Sequence, residues 1–209
     1  MSFTIRDGEM VGYMGPNGAG KSSTIKILSG ILMPDSGNCC IDGLVPWKDR
    51  IKHVSHIGVV FGQRSQLWWD IPVIDSFELL RDIYNVPQTQ YRRNLDELTA
   101  LLQLEELLKT PTRQLSLGQR MRCELAASLL HHPGILFLDE PTIGLDAVSK
   151  LAVREFVKRM NREHGTTVIL IGKGRILLDG TLDDIRREGG DVQDVDQAVA
   201  NLYRKLDIL

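Results

Sequence analysis

The sequence predicts an α/β domain built on a parallel sheet, with a mostly helical segment inserted into it. Three observations predict this. Short apolar runs at 57–61, 135–138 and 166–171 alternate with stretches of helical periodicity, the β-α-β rhythm of parallel strands. A glycine-rich loop at 15–23 stands between an apolar strand and a helix. Between 65 and 115 the strand signal vanishes, and apolar residues recur at helical spacing instead.

Taken in order, Phe3 and Ile5 alternate with polar residues before an Asp7-Gly8 turn, and 10–13 runs apolar. This predicts an N-terminal antiparallel hairpin. After the glycine-rich loop, Ile25 and Leu28 lie at helical spacing, and Gly30 stands where a C-terminal cap belongs. Residues 34–37 are a turn, and 57–61 a buried strand ending at Gly62-Gln63. Phe77, Leu80 and Tyr84, then Leu95, Leu98, Leu101 and Leu102, mark two helices of the insertion, which we place at 65–130. Another helix begins at Ser116, where Gln119 completes a capping box, and Pro133 stops it. A strand to Leu138, a helix over 148–162 and a strand over 166–171 complete the sheet. A weakly amphipathic helix is expected in the 188–209 tail, within a single domain spanning 1–209.

Composition narrows the class. The 209 residues are 43% hydrophobic and 25% charged, ordinary globular values that exclude a disordered or fibrous chain. Lys and Arg total 25 against 27 for Asp and Glu, so no broad basic field exists and no nucleic-acid partner is expected. Cys39 and Cys40 are adjacent and Cys123 stands apart, which is neither a disulfide scaffold nor metal-ligand spacing. The amino-terminal residues lack the apolar run of a signal peptide, and no stretch has the length of a spanning helix. Work at a membrane would need a membrane part from another chain.

Gly15, Pro16, Asn17, Gly18, Ala19, Gly20, Lys21 and Ser22 fit the pattern of glycine, four residues, then Gly-Lys-Ser. The glycines let successive backbone N–H groups turn inward onto phosphate oxygens, and the following helix adds its positive end, with Ser23 in its first turn. Lys21 would reach the outer phosphates, and the Ser22 hydroxyl would ligate magnesium. The apolar strand ending in Asp139-Glu140 supplies the other half of a nucleotide site. Strand ends of an open α/β sheet face the ligand crevice. There Asp139 would hold magnesium and Glu140 would deprotonate the attacking water.

Leu115-Ser116-Leu117-Gly118-Gln119 resembles LSGGQ, the signature of the ATP-binding-cassette (ABC) ATPases, with Leu117 replacing one glycine. Glu140-Pro141-Thr142 and Gly144-Leu145-Asp146 resemble that family's stretch after the acidic strand and its D-loop, and Gln63 its Q-loop glutamine. The resemblance covers nearly the whole chain. The tracts QRSQLWWD and DEPTIGLD look most like bacterial exporter ATPases of the drug and polysaccharide branch. The resemblance implies a P-loop NTPase (RecA-like) core carrying a helical signature subdomain, and ATP and Mg2+ as ligands. It also implies two cassettes docked head to tail on a membrane permease, at the cytoplasmic face. Ser116, Gly118 and Gln119 would then meet the nucleotide held by the partner, Asp146 would lie at the seam, and Gln63 would sense magnesium and water. A soluble ABC protein and an ATP-binding cassette without efficient hydrolysis are the alternatives.

Several residues carry two readings. Trp68 and Trp69 are expected to pack inside the insertion; the alternative is that they border a groove for the membrane subunit. Arg120 and Arg122 are dimer contacts or solvated charges. His53, His56, His131, His132 and His164 are expected at the surface or satisfied in the core. Two family features have no counterpart. Only fourteen residues precede Gly15, so the strand bearing an adenine-stacking aromatic is expected to be missing. Ile171 runs directly into Gly172-Lys173-Gly174, where the family places its switch histidine, and slow turnover is the expected consequence.

Overall fold

A computed structural model describes residues 2–15, 20–62, 64–142 and 144–173. The chain divides into two compact units, Met1–Gly12 with Ser22–Ile171 and Tyr13–Lys21 with Gly172–Leu209. The elements in order are β1 (Met10–Gly15), α1 (Lys21–Leu28), α2 (Arg50–Val54), β2 (Ile57–Phe61), α3 (Val73–Ile83) and α4 (Gln88–Leu102). A 3-10 turn (Thr112–Gln114), α5 (Leu117–Leu129), β3 (Ile135–Asp139), α6 (Ala147–His164) and β4 (Thr167–Lys173) follow. The expected 188–209 helix lies outside the described residues.

In the larger unit β3 is central. It pairs in parallel with β2, Ile57 opposite Ile135, and with β4, Ile135 opposite Thr167. A parallel strand with a neighbour on each side needs both faces covered, so it reads as an unbroken apolar run. Leu136, Phe137 and Leu138 are accordingly fully buried. Val153, Phe156, Val157 and Met160 form the inner stripe of α6, and Met121, Leu125 and Leu129 that of α5. Phe77 and Leu80 of α3 and Tyr91, Leu98 and Leu102 of α4 continue the same core.

Two helix ends follow the sequence. Ser116 caps α5 by accepting from Gln119 N–H at 3.2 Å, while Gln119 Oε1 accepts from Ser116 N–H at 2.8 Å. Gly30 takes the left-handed conformation (φ +74°) just past α1, where Ile31 N–H donates to the Lys26 carbonyl at 2.7 Å.

The N-terminal antiparallel hairpin is not found. Residues 2–6 form no strand, and Phe3 is 48% exposed. The Asp7-Gly8 turn does form, but its partners are distant ones. Gly8 N–H donates to the Thr167 hydroxyl at 2.8 Å, Asn161 Nδ2 donates to the Gly8 carbonyl at 2.7 Å, and Val168 N–H donates to the Glu9 carbonyl at 2.9 Å. The alternating pattern of Phe3 and Ile5 is short, and pairing with β4 satisfies the backbone after the turn instead.

Candidate functional site

The glycine-rich loop begins where β1 ends, at Gly15; Pro16, Asn17, Gly18 and Ala19 lie outside the described residues. Gly20 has φ +84°, a conformation that favours glycine and delivers the chain into α1. Lys21 opens that helix and is only 7% exposed, whereas Ser22 and Ser23 in the first turn are exposed. No acidic residue occupies the first turn to compete for the positive helix end.

Asp139 closes β3 opposite Phe61 of β2, and its carbonyl accepts from Gly62 N–H at 2.9 Å. The next residue, Glu140, is half-buried with φ +52°, so the chain turns sharply where the acidic pair is presented. Gly62 packs directly on this turn. A Cβ there would stand 2.6 Å from the Glu140 carbonyl oxygen and 2.9 Å from that of Asp139. Sequence reasoning missed Gly62, since its crowding comes from a strand that follows more than seventy residues later. Gln63 itself lies outside the described residues.

The segments that resemble a signature and a D-loop, around Gly118 and Asp146, interlock within one chain. A Cβ on Gly118 would collide with the Ser149 hydroxyl, and one on Gly144 (φ +71°) would stand 2.9 Å from Leu117 Cδ2. Asp146 caps α6, accepting from the Ser149 backbone N–H at 2.9 Å and its hydroxyl at 2.7 Å. Those two donors hold the exposed Asp146 carboxyl below the usual range. The N-termini of α5 and α6 are thus joined through Leu117, Gly118, Gly144 and Ser149, with Ser116 capping the first and Gln119 completing its box.

Residues 1–143 match the protein family described as "ABC transporter". The chain belongs to that family. It is 35% identical over 170 residues to the uncharacterized ABC transporter ATP-binding protein YhcH of Bacillus subtilis, covering 81% of this chain and 54% of that protein. It is 32% identical to the linearmycin resistance ATP-binding protein LnrL of the same species, covering 91% of this chain and 67% of the relative. The chain therefore spans about half the length of YhcH. Among solved structures, one described as the ATP-binding subunit of an ABC transporter superposes with a TM-score of 0.81 at 26% identity, over 96% of this chain and 90% of that one. A dimeric ATP-binding cassette in a post-hydrolysis state, bound to ADP and Pi, superposes with a TM-score of 0.71 at 29% identity, over 81% and 76% of the two chains. The P-loop α/β architecture read from the sequence is that of these ABC cassettes.

The cassette's remaining candidates resolve individually. Trp68 and Trp69 do not pack inside the insertion, being 44% and 52% exposed. Leu67 takes the inward position instead, at 5% exposure, and Trp68 is held by its backbone N–H on the Ser76 hydroxyl at 3.2 Å. The Arg120 guanidinium lies 5.7 Å from the Trp69 ring centroid, within cation–π range. Trp69 and Arg120, with Gly62, Arg64 and Glu124, line a cleft of about 170 Å3. Arg122 is a structural anchor, its Nη1 donating to the carbonyls of Leu102 at 3.0 Å and Gln103 at 3.2 Å at the end of α4.

His53 Nε2 meets the Leu28 carbonyl at 2.7 Å and is satisfied in the core, whereas the half-buried His131 meets the Ile57 carbonyl through Nε2 at 2.9 Å and leaves its Nδ1 without a partner. Among the described residues no group of three or more His, Cys, Asp or Glu is placed to hold a metal ion. Glu124 is a further residue that sequence reasoning passed over. It is 4% exposed on the apolar face of α5, and the only signal was an acid between Cys123 and Leu125 in an otherwise apolar run.

Proposed function

We propose that this chain is the ATP-binding and ATP-hydrolysing subunit that powers a membrane ABC exporter. Support comes above all from the fixing of Asp139-Glu140 by Gly62 at the C-terminal end of a parallel strand, in a chain that also carries the phosphate loop and a capped signature helix. In this reading 1–209 is one cassette, 65–130 is its helical subdomain and 188–209 is a helical tail. Gly15, Pro16, Asn17, Gly18, Ala19, Gly20 and Ser23 cradle the phosphates, and Lys21 neutralises the outermost ones.

Ser22 and Asp139 are hard oxygen donors, and Gln63 adds an amide oxygen. One carboxylate with neutral oxygens suits Mg2+ shared with phosphates better than an all-protein cage would. Bound there, magnesium would neutralise charge developing on the phosphates. Glu140 accepts a proton from the attacking water, which Gln63 orients. In a head-to-tail dimer, Ser116, Gly118 and Gln119 of one cassette meet the nucleotide of the other, where the helix N-terminus favours phosphate. Asp146 then lies along the seam. A permease subunit supplies the membrane part and holds the cassette at the cytoplasmic face, with Trp68 and Trp69 bordering its docking groove. No helix among the described residues is long and apolar enough to cross a membrane.

The test uses two variants. Lys21→Ala removes a charge-assisted contact and should weaken MgATP binding by about 1.5–3 kcal/mol in calorimetry. Glu140→Gln should keep binding, lose turnover and accumulate an ATP-dependent dimer. Unchanged affinity in the first, or full ATPase activity in the second, would move the site elsewhere. A second reading, a cassette that binds ATP and hydrolyses it slowly, is favoured by one observation: Gly172-Lys173 follows Ile171 where a histidine is expected. Loss of one such γ-phosphate contact lowers turnover about a hundred- to thousandfold. Steady-state turnover of the unaltered chain decides between the two.

A further inference from the structure

Glu124 is a carboxylate that the proposed chemistry does not use, buried where an apolar side chain would fit. Burial pushes its carboxyl above the usual range, and the Ser65 and Gln66 donors pull against that. The Arg120 guanidinium favours the charged form from a distance, but no described ion pair contacts the carboxylate. Its partners are hydrogen-bond donors from one segment. The Ser65 hydroxyl and the Gln66 N–H (3.2 Å) donate to its two carboxylate oxygens, and Gln66 Nε2 donates back to the Glu124 carbonyl at 3.2 Å. Leu67 N–H closes on the Ser65 hydroxyl at 3.1 Å.

This clasp has a particular location. Upstream of residues 65–66 lies Gly62, packed on Asp139-Glu140; downstream lie the exposed Trp68 and Trp69, the latter beside Arg120. The clasp's other jaw is α5, whose N-terminus is the signature. A buried acid satisfied by hydrogen bonds contributes little stability over a well-packed apolar residue, but it fixes the relative position of the elements it joins. We propose that Glu124 is a positioning residue that fastens residues 65–69 to the signature helix, so that nucleotide engaged at the start of α5 is felt at the tryptophan pair. The inference rests on the ATPase reading above and adds to it a mechanical link within the subunit.

Hydrogen exchange of residues 64–70 in the full chain, with and without MgATP, tests it alongside ATPase kinetics. Glu124→Gln keeps the volume but puts an amide donor where an acceptor is needed. Without nucleotide, exchange at Gln66 and Leu67 should speed up about tenfold or more. With MgATP, the protection that the unaltered chain gains over this segment should be absent. Affinity for MgATP should stay within about twofold while kcat falls about tenfold, a split that general destabilisation does not produce. Ser65→Ala opens the clasp from its other side and serves if Glu124→Gln does not fold. The double variant should be no worse than Glu124→Gln alone.

Glu124→Met, which refills the space, should restore melting temperature but not the nucleotide-dependent protection. Retention of that protection in Glu124→Gln or Glu124→Met overturns the inference and leaves the ATPase reading standing. An unaltered chain that binds no MgATP overturns both.

Discussion

Gly62→Ala probes the junction of β2 and β3 with one methyl group. The added carbon would stand 2.6 Å from the Glu140 carbonyl oxygen, about 0.8 Å inside the onset of ordinary contact, with the Asp139 oxygen at 2.9 Å and the Glu140 carbonyl carbon at 3.3 Å. All three atoms are backbone, so no side chain can swing away. Relief requires the turn at Asp139-Glu140 to move by a few tenths of an ångström or more. Overpacking of this kind costs about 1–3 kcal/mol. A displacement approaching 1 Å at a catalytic group costs up to about a hundredfold in rate. We expect kcat for ATP to fall about ten- to a hundredfold, with a modest loss in melting temperature.

Two other glycines serve as controls. A Cβ on Gly134 meets nothing within 4 Å, so Gly134→Ala should behave as the unaltered chain. One on Gly58 would meet Leu136 Cδ1 at 3.1 Å, Pro133 Cγ at 3.2 Å and the Ser128 carbonyl, away from the acidic turn. Gly58→Ala should therefore lose stability and keep its kcat per folded molecule. Turnover by Gly62→Ala at the parent rate would refute the reasoning. So would an equal fall in kcat for Gly58→Ala, because the effect would then be strain in general.

Burial holds His131 neutral down to about pH 4, although its hydrogen bond to Ile57 favours the charged form. Its Nδ1 is buried without a partner, so a second proton would add an unsatisfied donor. The unfolded chain takes that proton near pH 6.5, so stability is complete above 6.5 and falls as pH drops toward 4, by about 3 kcal/mol in all. Urea unfolding at pH 7 and pH 5 should show about 2 kcal/mol of this loss. Glu124, raised by burial, works in the opposite direction; comparison with His131→Phe, which preserves stacking on Tyr84, isolates the histidine. Arg122→Ala should lower stability by about 1.5–3 kcal/mol in thermal melts, because it uncaps two carbonyls at the end of α4, and leave kcat per folded molecule unchanged. A fall in kcat without a change in melting would instead make Arg122 a dimer contact.

What the sequence reveals and what it hides divide along physical lines. The Ser116 and Gln119 box and the Gly30 cap are written locally, within one turn of helix, so pattern alone finds them. β3 is legible because burial on both faces demands an unbroken apolar run. The Phe3 and Ile5 alternation misleads because a strand exists only with a partner, and the partner of the chain after the turn is β4. Trp68 and Trp69 mislead similarly: ring size argues for burial, but Leu67 fills the available space and Arg120 covers one ring from outside. Glu124, Gly62 and Ser149 are invisible in principle to local reading. Each acquires its role from contact with a remote segment, as when Ser65 meets a carboxylate 59 residues away.

The tether between the Asp7-Gly8 turn and β4 bears on how this chain is born. Gly8 and Thr167 are 159 residues apart, whereas β3 and β4 pair across 32, from Ile135 to Thr167. Closing the longer loop costs about 1.4 kcal/mol more in chain entropy, so β1 gains from docking after β3 and β4 have met. A ribosome delivers the Asp7-Gly8 turn well before β4, and the turn must wait for Asn161, Thr167 and Val168 to emerge. Until then its backbone is an unsatisfied edge, open to chaperones or to a neighbouring nascent chain. A turn made early is fastened late.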